Sequence, residues 1–325
     1  MHSYTSVRLH ACTAILLMAL AHQPAEASCG ASFCMVNTNW NLQGFAPETG
    51  FRLDLRYEYI KQDQLRTGSD RIAFGQISKH HDEIRTVNRN VLGEVDYTIS
   101  RDWGVSATVP MVDRDHSHIH NHRGTPLLEQ WDFTRVGDVR VLGRRQWMAE
   151  ETSSRTLSFY GMNFGLKLPT GDNDLRNGNG DRAERTLQPG TGTTDLLLGG
   201  YYSRVLPAGD ASWFVQALLQ TPLNSREDYR PGRRVTLDAG YRYEMTDTVG
   251  LMLQLNALYR AKDAGNQAEP DDTGGRFLFL SPGASFAITK SAQLYGFVQF
   301  PLYQHVNGVQ LTSDWSAVVG ASMRF

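Results

Sequence analysis

The C-terminal stretch Trp315-Ser316-Ala317-Val318-Val319-Gly320-Ala321-Ser322-Met323-Arg324-Phe325 decides how the chain is read. Trp315, Ala317, Val319, Ala321, Met323 and Phe325 share one face of an extended backbone, and Ser316, Val318, Gly320, Ser322 and Arg324 share the other. That period of two is a β-strand, bulky apolar or small on one side and mostly small or polar on the other. It ends on an aromatic residue. A final strand of this type closes either a soluble sandwich or a barrel, and the choice falls to the rest of the chain.

The 325 residues carry a formal net charge of −2 and a mean hydropathy of −0.39. Near-neutral charge with no basic face or arm argues against nucleic acid as a partner. The one long apolar run is N-terminal: Arg8 and His10 precede Ala11–Ala21, and Ala25-Glu26-Ala27 follows as an A-x-A cleavage site. Residues 1–27 therefore read as a secretory signal peptide, with the mature chain starting near Ser28. Glu26 and Ser28 do not make the small apolar box expected before a lipidated cysteine, so Cys29 is not read as an anchor. Cys12 leaves with the signal. In an oxidising export compartment the remaining pair, Cys29 and Cys34, is expected to form one short disulfide, a redox or metal role for this C-x4-C being the alternative. No other run approaches the roughly 20 apolar residues a membrane helix needs. A membrane location then requires a barrel, because in lipid only helices and closed barrels satisfy every backbone polar group.

A polar segment, 28–50, is expected on the periplasmic side, either hanging free or entering the lumen as a plug. Phe51, Leu53, Leu55, Tyr57 and Tyr59 then alternate with Arg52, Asp54, Arg56 and Glu58. One face suits lipid, and four consecutive ionic positions on the other suit a wet lumen better than a dry core. The pattern recurs near Ile84–Ile99, Trp103–Val112, Val136–Met148, Thr156–Leu168, Asp195–Val205, Ser212–Pro222, Arg234–Met245, Val249–Arg260, Arg276–Ile288, Ala292–Gln304 and Trp315–Phe325. Residues 51–325 thus read as one all-β domain, an antiparallel transmembrane barrel of about twelve strands, an even number within the bacterial range.

The spacing of the strands separates barrel from sandwich. Short links at Ser100–Asp102, Leu206–Asp210, Thr246–Thr248 and Thr289–Ser291, with a medium one at Ala149–Arg155, alternate with long polar ones. The long links are Lys61–Glu83, Asp113–Arg135, Gly171–Thr194, Asn224–Arg233, Ala261–Gly275 and Val306–Asp314. Short periplasmic turns alternating with long external loops are what a barrel with both termini in the periplasm requires. Pro110, Pro169, Pro222 and Pro301 recur at or near the outer ends of four upward strands, where a residue that cannot donate to the ladder is tolerated.

The segments Gly165-Leu166-Lys167-Leu168-Pro169-Thr170-Gly171, Leu187-Gln188-Pro189-Gly190-Thr191-Gly192 with Asp195, and Phe297-Val298-Gln299-Phe300-Pro301-Leu302-Tyr303 together resemble the outer-membrane proteins grouped under the MetA-pathway of phenol degradation, described as transporters. The resemblance implies a bacterial outer-membrane barrel that passes small, aromatic or apolar, solutes. It carries no agreed functional residues. The C-terminal Phe325 likewise resembles the closing aromatic that the barrel-assembly machinery reads, and outer-membrane lipid and lipopolysaccharide are the expected surroundings.

Two features stand apart from that resemblance: the cysteine pair and Asp113-Arg114-Asp115-His116-Ser117-His118-Ile119-His120-Asn121-His122 in the second external loop. Extended, the four imidazoles of this run project to one side at about 7 Å intervals. Imidazole suits copper, zinc and nickel, and Asp113 or Asp115 can add an oxygen ligand or orient a ring. His80, His81 and Asp82 lie in the first external loop, on the same side of the membrane. The candidate metal ligands are therefore His116, His118, His120, His122, His80, His81 and Asp115. A solvated polar tract is the plainer reading, since His-rich runs are compositional hints. Asp172, Asp174 and Asp181 in the third loop depart from calcium-loop spacing, with Arg176 at the third ligand position.

The residues expected to line the lumen are Arg52, Asp54, Arg56, Glu58, Glu94, Asp96, Arg140, Arg144, Lys167, Asp238, Arg242 and Glu244. Mixed charge fits a water-filled pore or a network of ion pairs that fills the barrel. The leading reading is a barrel that passes a small solute, requires no cofactor, and carries a metal-binding histidine loop. The rivals are a closed structural or docking barrel and a lipid-acting barrel enzyme. Catalysis would need His305 beside Ser285 or Ser316, and no G-x-S-x-G is present, so an enzyme is not expected.

Overall fold

The structure, a computed structural model, describes residues 28–29, 34–43, 48–76, 81–122, 125–151, 156–207 and 209–325. The expected signal peptide, 1–27, and His80 lie outside the described residues. In chain order the strands are β1 (Ser28–Cys29), β2 (Gly50–Gln62), β3 (Gln64–Gly68), β4 (Asp70–Arg71), β5 (His81–Thr98), β6 (Trp103–His122), β7 (Thr125–Val136), β8 (Arg140–Glu151), β9 (Thr156–Lys167), β10 (Asp195–Val205), β11 (Ala211–Pro222), β12 (Arg234–Glu244), β13 (Val249–Arg260), β14 (Gly275–Ala287), β15 (Ala292–Thr312) and β16 (Ser316–Arg324). Strands β1, β3, β4 and β7 stand outside the ring, and the other twelve close on themselves.

Closure is made where the sequence placed it. Strand β16 pairs with β15 from Ala292↔Met323 to Gln299↔Ser316 and with β2 from Ser316↔Ile60 to Arg324↔Arg52, both antiparallel. The Phe325 amide donates to the Phe51 carbonyl at 2.8 Å and finishes the seam. Along β2, Phe51, Leu53, Leu55 and Tyr57 face outward and exposed while Asp54 and Glu58 are buried. Strand β13 behaves alike: Leu251, Leu253, Leu255 and Tyr259 are exposed, and Met252, Gln254 and Asn256 are buried. The apolar exterior is a lipid face, and the polar groups point inward because inside is where water and partners are.

Aromatics mark the rim that carries the short turns. Phe51 stacks on Tyr97 with ring centroids 4.5 Å apart, Trp147 stacks on Tyr160 at 5.7 Å, and the Arg145 guanidinium lies over both Trp103 and Trp147. At the loop rim Tyr59 meets Trp315. Such belts sit where a ring can be apolar on one edge and wet on the other.

Three of the long polar links are not loops. Residues 113–135 form the upper half of β6 and its partner β7, paired from Met111↔Val136 to His122↔Thr125. Strand β15 runs on to Thr312 and pairs with β3. The staves therefore extend beyond the lipid face as a cap. Its core gathers Leu65, Val112, Trp131, Phe133, Leu187 and Leu311, all buried. The expectation of solvated loops failed because a strand outside lipid no longer needs an apolar outer face, so its polarity contrast disappears while its pairing continues.

The N-terminal segment takes the second of the two placements left open by its sequence. Cys34–Gln43 runs inside the lumen rather than hanging free, with the 3-10 turn Trp40–Leu42 buried against the wall. Strand β1 pairs in parallel with Gln310–Leu311, beside the cap. The expected Cys29–Cys34 disulfide is not formed: Cys34 has a free thiol, with Sγ 3.8 Å from the Ala317 carbonyl oxygen. Cys29 is registered with Leu311 at the cap, whereas Cys34 sits deep beside Glu58.

Candidate functional site

The lumen is built by parity. Every charged residue read as inward sits on the inner face, and most are satisfied by one another. Arg56 bridges Glu58 at 3.3 Å, Asp54 at 3.6 Å and Glu94 at 3.8 Å. Arg144 holds Asp96 at 3.1 Å and donates to Thr98 at 3.0 Å. Arg242 reaches Glu244, Arg52 donates to Ser322, and Asp238 accepts from Asn256 at 2.9 Å. Buried ion pairs of this type roughly break even in energy, but removing one partner strands a charge and costs about 3–5 kcal/mol.

The N-terminal segment is tied to this wall by amides. The Cys34 amide donates to Glu58 at 3.1 Å and the Met35 amide to Gln299 at 3.2 Å. Gln254 grips Asn37 twice, accepting from its backbone N–H and donating to its carbonyl, each at 2.9 Å, as a neighbouring strand would. The Asn37 side chain donates to Gln216 and Asp238. Below it Trp40 donates from Nε1 to Asp54 at 3.2 Å, packs edge-on against Tyr295, and lies under the Arg242 guanidinium. Leu42 is wholly buried against Tyr201 and Phe214. This part of the lumen is blocked by a folded piece of the same chain.

Toward the cap a cavity of about 340 Å³ remains, bounded by Cys34–Asn39, the wall and the link 168–194. Two of the three resembling motifs, around Lys167 and Gln188–Asp195, contribute to its lining. Lys167 pairs with Asp138 at 2.7 Å and Asp195 at 3.4 Å, and hydrogen-bonds Thr191. Asp138 also accepts from the backbone amides of Gly171 and Thr191. Gly171 and Gly190 are glycines because their backbones touch: a Cβ on Gly190 would lie 2.5 Å from the Gly171 oxygen. Arg114 donates to the Leu187 carbonyl at 2.6 Å and pulls the same link inward. Arg185 lies over the Tyr229 ring, and its pKa is lowered by burial and then by neighbouring Arg182. Burial, with Asp263 beside it, pushes the Tyr229 hydroxyl well up.

Two lumen cations are unlike the rest. Arg140 and Arg234 line the cavity and, among the described residues, their side chains make neither a hydrogen bond nor an ion pair. They face open volume.

The predicted metal ligands divide. His116 and His118 are buried on the inner face of β6, with Nε2 of one 2.9 Å from Nδ1 of the other, and His120 stands next along at 3.0 Å from Glu129. Asp115 does not join them. One residue along the strand from His116, it faces outward and pairs with Arg85 at 3.0 Å. The side chains of His81 and His122 lie outside the described residues. The carboxylates of the third loop pair with arginine, Asp174 with Arg182 at 2.9 Å and Asp172 with Arg135 at 3.5 Å, rather than converging on a cation. His305 bonds Ser69, while Ser285 pairs across the ladder with Tyr295, ten residues and roughly 30 Å back along β15, and Ser316 pairs with and hydrogen-bonds Gln299, so neither serine meets His305 among the described residues.

Sequence reasoning missed Glu83, Asp138, Trp40 and the amides Gln216, Gln254 and Gln299. The glutamines stand at inward parity, but only charged residues were counted as lumen. Asp138 sits in the break between β7 and β8, where parity gives no direction.

No curated protein matches the sequence significantly. Among solved structures the chain is similar to the COG4313 outer membrane channel from Pseudomonas putida F1, with 12% identity over 89% of this chain and 100% of that one and a TM-score of 0.65. Weaker likenesses are to the NanC porin (12% identity, 84% and 100% covered, TM-score 0.43) and a Pseudomonas aeruginosa FadL homologue (12% identity, 91% and 99% covered, TM-score 0.38). The fold is that of a bacterial outer-membrane barrel. Residues 95–307, well over half of the chain, match the family described by the MetA-pathway of phenol degradation, and the chain belongs to that family.

Proposed function

We propose that the barrel conducts a small organic anion from the loop end, facing outside, to the turn end, and that Cys34–Gln43 is the constriction it passes. The observation that carries this reading is the cavity between cap and constriction, where the Arg140 and Arg234 side chains lack a partner. A guanidinium in a polar, confined site is a carboxylate receptor awaiting its ligand. Leu92, Leu142, Leu218 and Pro231 in the same lining give an apolar body something to pack on. A bare hydrocarbon would leave both cations unpaired, so the solute is an amphipathic anion. Channel identity in the P. putida barrel supports passage of a solute, not its chemistry. The packing of Trp40 and Leu42 favours a second reading, a closed barrel.

Single-channel recording in planar bilayers tests both. Reversal potentials in a salt gradient are expected to show anion preference, which Arg140→Gln with Arg234→Gln removes. Trp40→Ala is expected to raise conductance several-fold. No conductance in the parent or in Trp40→Ala establishes the closed barrel. Ion binding by the histidines of the cap is a separate property, independent of conduction.

A further inference from the structure

The cap holds a group of side chains that the conduit does not use. His116 Nε2 lies 3.5 Å from Glu83 Oε2, His118 Nδ1 lies 3.9 Å from Glu83 Oε1, and the two nitrogens are 2.9 Å apart. All three residues are buried, at 1% exposure or less. Three donor atoms around one ion at bond lengths of about 2.0–2.1 Å stand roughly 3.3 Å from each other in a tetrahedron, and the observed separations bracket that value.

Glu83 reaches this face through a register shift. The pairing of β5 with β6 runs Thr86↔His116 and Arg85↔Ser117, then skips Ile84 and resumes at Glu83↔His118. A β-bulge re-aims the residues beyond it, and without the extra residue Glu83 would point to the outer side. The bulge therefore brings the carboxylate onto the two imidazoles.

The outer atoms of both rings are held as they are around metal ions. Thr86 Oγ1 lies 2.8 Å from His116 Nδ1, and Glu129 Oε2 lies 3.3 Å from His118 Nε2. A carboxylate accepts, so it keeps the proton on Nε2 and leaves the His118 Nδ1 lone pair directed at the group. The hydroxyl of Thr86 can accept from His116 Nδ1 and free its Nε2 in the same way. Trp131 covers both rings, with centroids 5.8 and 5.1 Å away, and shields the group from water.

We propose that Glu83, His116 and His118 form a binding site for one divalent first-row transition ion, and that the ion ties β5 to β6 in the cap. Two imidazoles and a carboxylate suit zinc, copper or nickel, with a fourth position left for water or an exogenous ligand. His120, on the far side of Glu129, orients that carboxylate and is not a ligand. The site does not depend on what the lumen passes.

The test is calorimetry with Zn²⁺ on the refolded mature barrel, its fold checked by heat-modifiable mobility in gels. One ion per chain at micromolar affinity or tighter is expected. Glu83→Gln, which keeps the shape of the side chain, and the double variant His116→Ala/His118→Ala should each abolish it, whereas Thr86→Val or Glu129→Gln should weaken it about ten- to hundredfold. Cobalt substitution should give the intense visible bands of a four-coordinate site, lost in Glu83→Gln. Absent binding overturns the proposal. So does binding that survives Glu83→Gln and the double variant but disappears when His80, His81 and His122 are replaced, which would place the ion on a surface tract. Because conductance and calorimetry are separate readouts, failure of one leaves the other standing.

Discussion

The two halves of β6 obey one alternation and put it to opposite uses. Below Met111 the outward residues are Val105 and Val109, exposed to lipid, and the inward ones look onto the lumen. Above Val112 the outward residues are ionic: Asp113 pairs with Arg89 at 2.6 Å and accepts from Thr134 at 2.7 Å, and Asp115 pairs with Arg85. The inward residues there are buried: His116 and His118 pack against Trp131, and the Arg114 guanidinium lies 6.0 Å from the Phe133 ring centroid. The outer face changes partner from lipid to water at Met111–Asp113, and the inner face changes from wet to dry within the same turn of sequence. Polarity along a strand thus reports the medium, while period reports only the strand.

Replacing Trp131 attacks the dry half alone. Its ring covers both imidazoles and its Nε1 donates to the Asp181 carbonyl at 3.3 Å, so Trp131→Ala should cost the cap about 3–5 kcal/mol. Hydrogen exchange should accelerate across 113–133 and leave β9–β14 unchanged; uniform acceleration would mean that cap and barrel unfold as one unit. A charge on the outer face probes the other half. Val109→Arg faces hydrocarbon and should cost about 2–4 kcal/mol in reversible urea unfolding from vesicles. Thr134→Arg, on the ionic side of the boundary, should stay within about 0.5 kcal/mol. Equal costs would move the boundary.

The same contrast explains what a reader of the sequence can and cannot see. The twelve staves were legible because lipid outside and charge inside give each an alternating signature, and because links of unequal length alternate. Strand β7 was not, since its outward residues Gln130, Asp132 and Thr134 show no apolar face once the strand leaves lipid. The alternate histidines of β6, however, already lay on one side of that strand. Glu83 was invisible as their neighbour because a one-residue bulge reverses parity and leaves no mark in composition. The lumen segment was beyond reach for another reason: Cys34–Gln43 has no period, and its place is fixed by Gln216, Gln254 and Gln299, amides that sequence alone shows only as polar inward residues.

Wet and dry tethers also hold one link, 168–194, and pH separates them. Lys167 and Asp138 clamp its base in a buried pair. Near its tip Glu227 accepts from Arg182 at 2.7 Å and Arg185 at 2.8 Å in the open. Glu227 and Asp228 take left-handed backbone angles, φ 50° and 54°, in a two-residue turn that aims the carboxylate at both guanidiniums. The hydrogen bond from Arg182, with Arg185 adding attraction, holds the Glu227 carboxyl below its ordinary value. A depressed folded pKa means that the tether is fully present above the ordinary glutamate range and is lost as pH falls through the folded value. Exposed ion pairs are weak, so the effect is small and local. Protection factors at 176–185, corrected for the intrinsic pH dependence of amide exchange, should fall on acidification below about pH 4.3, the ordinary glutamate value, and should be equally low at neutral pH in Glu227→Gln. If acid instead frees the base of the link first, around Gly171 and Thr191, the buried pair is the weaker tether and the contrast between wet and dry is reversed.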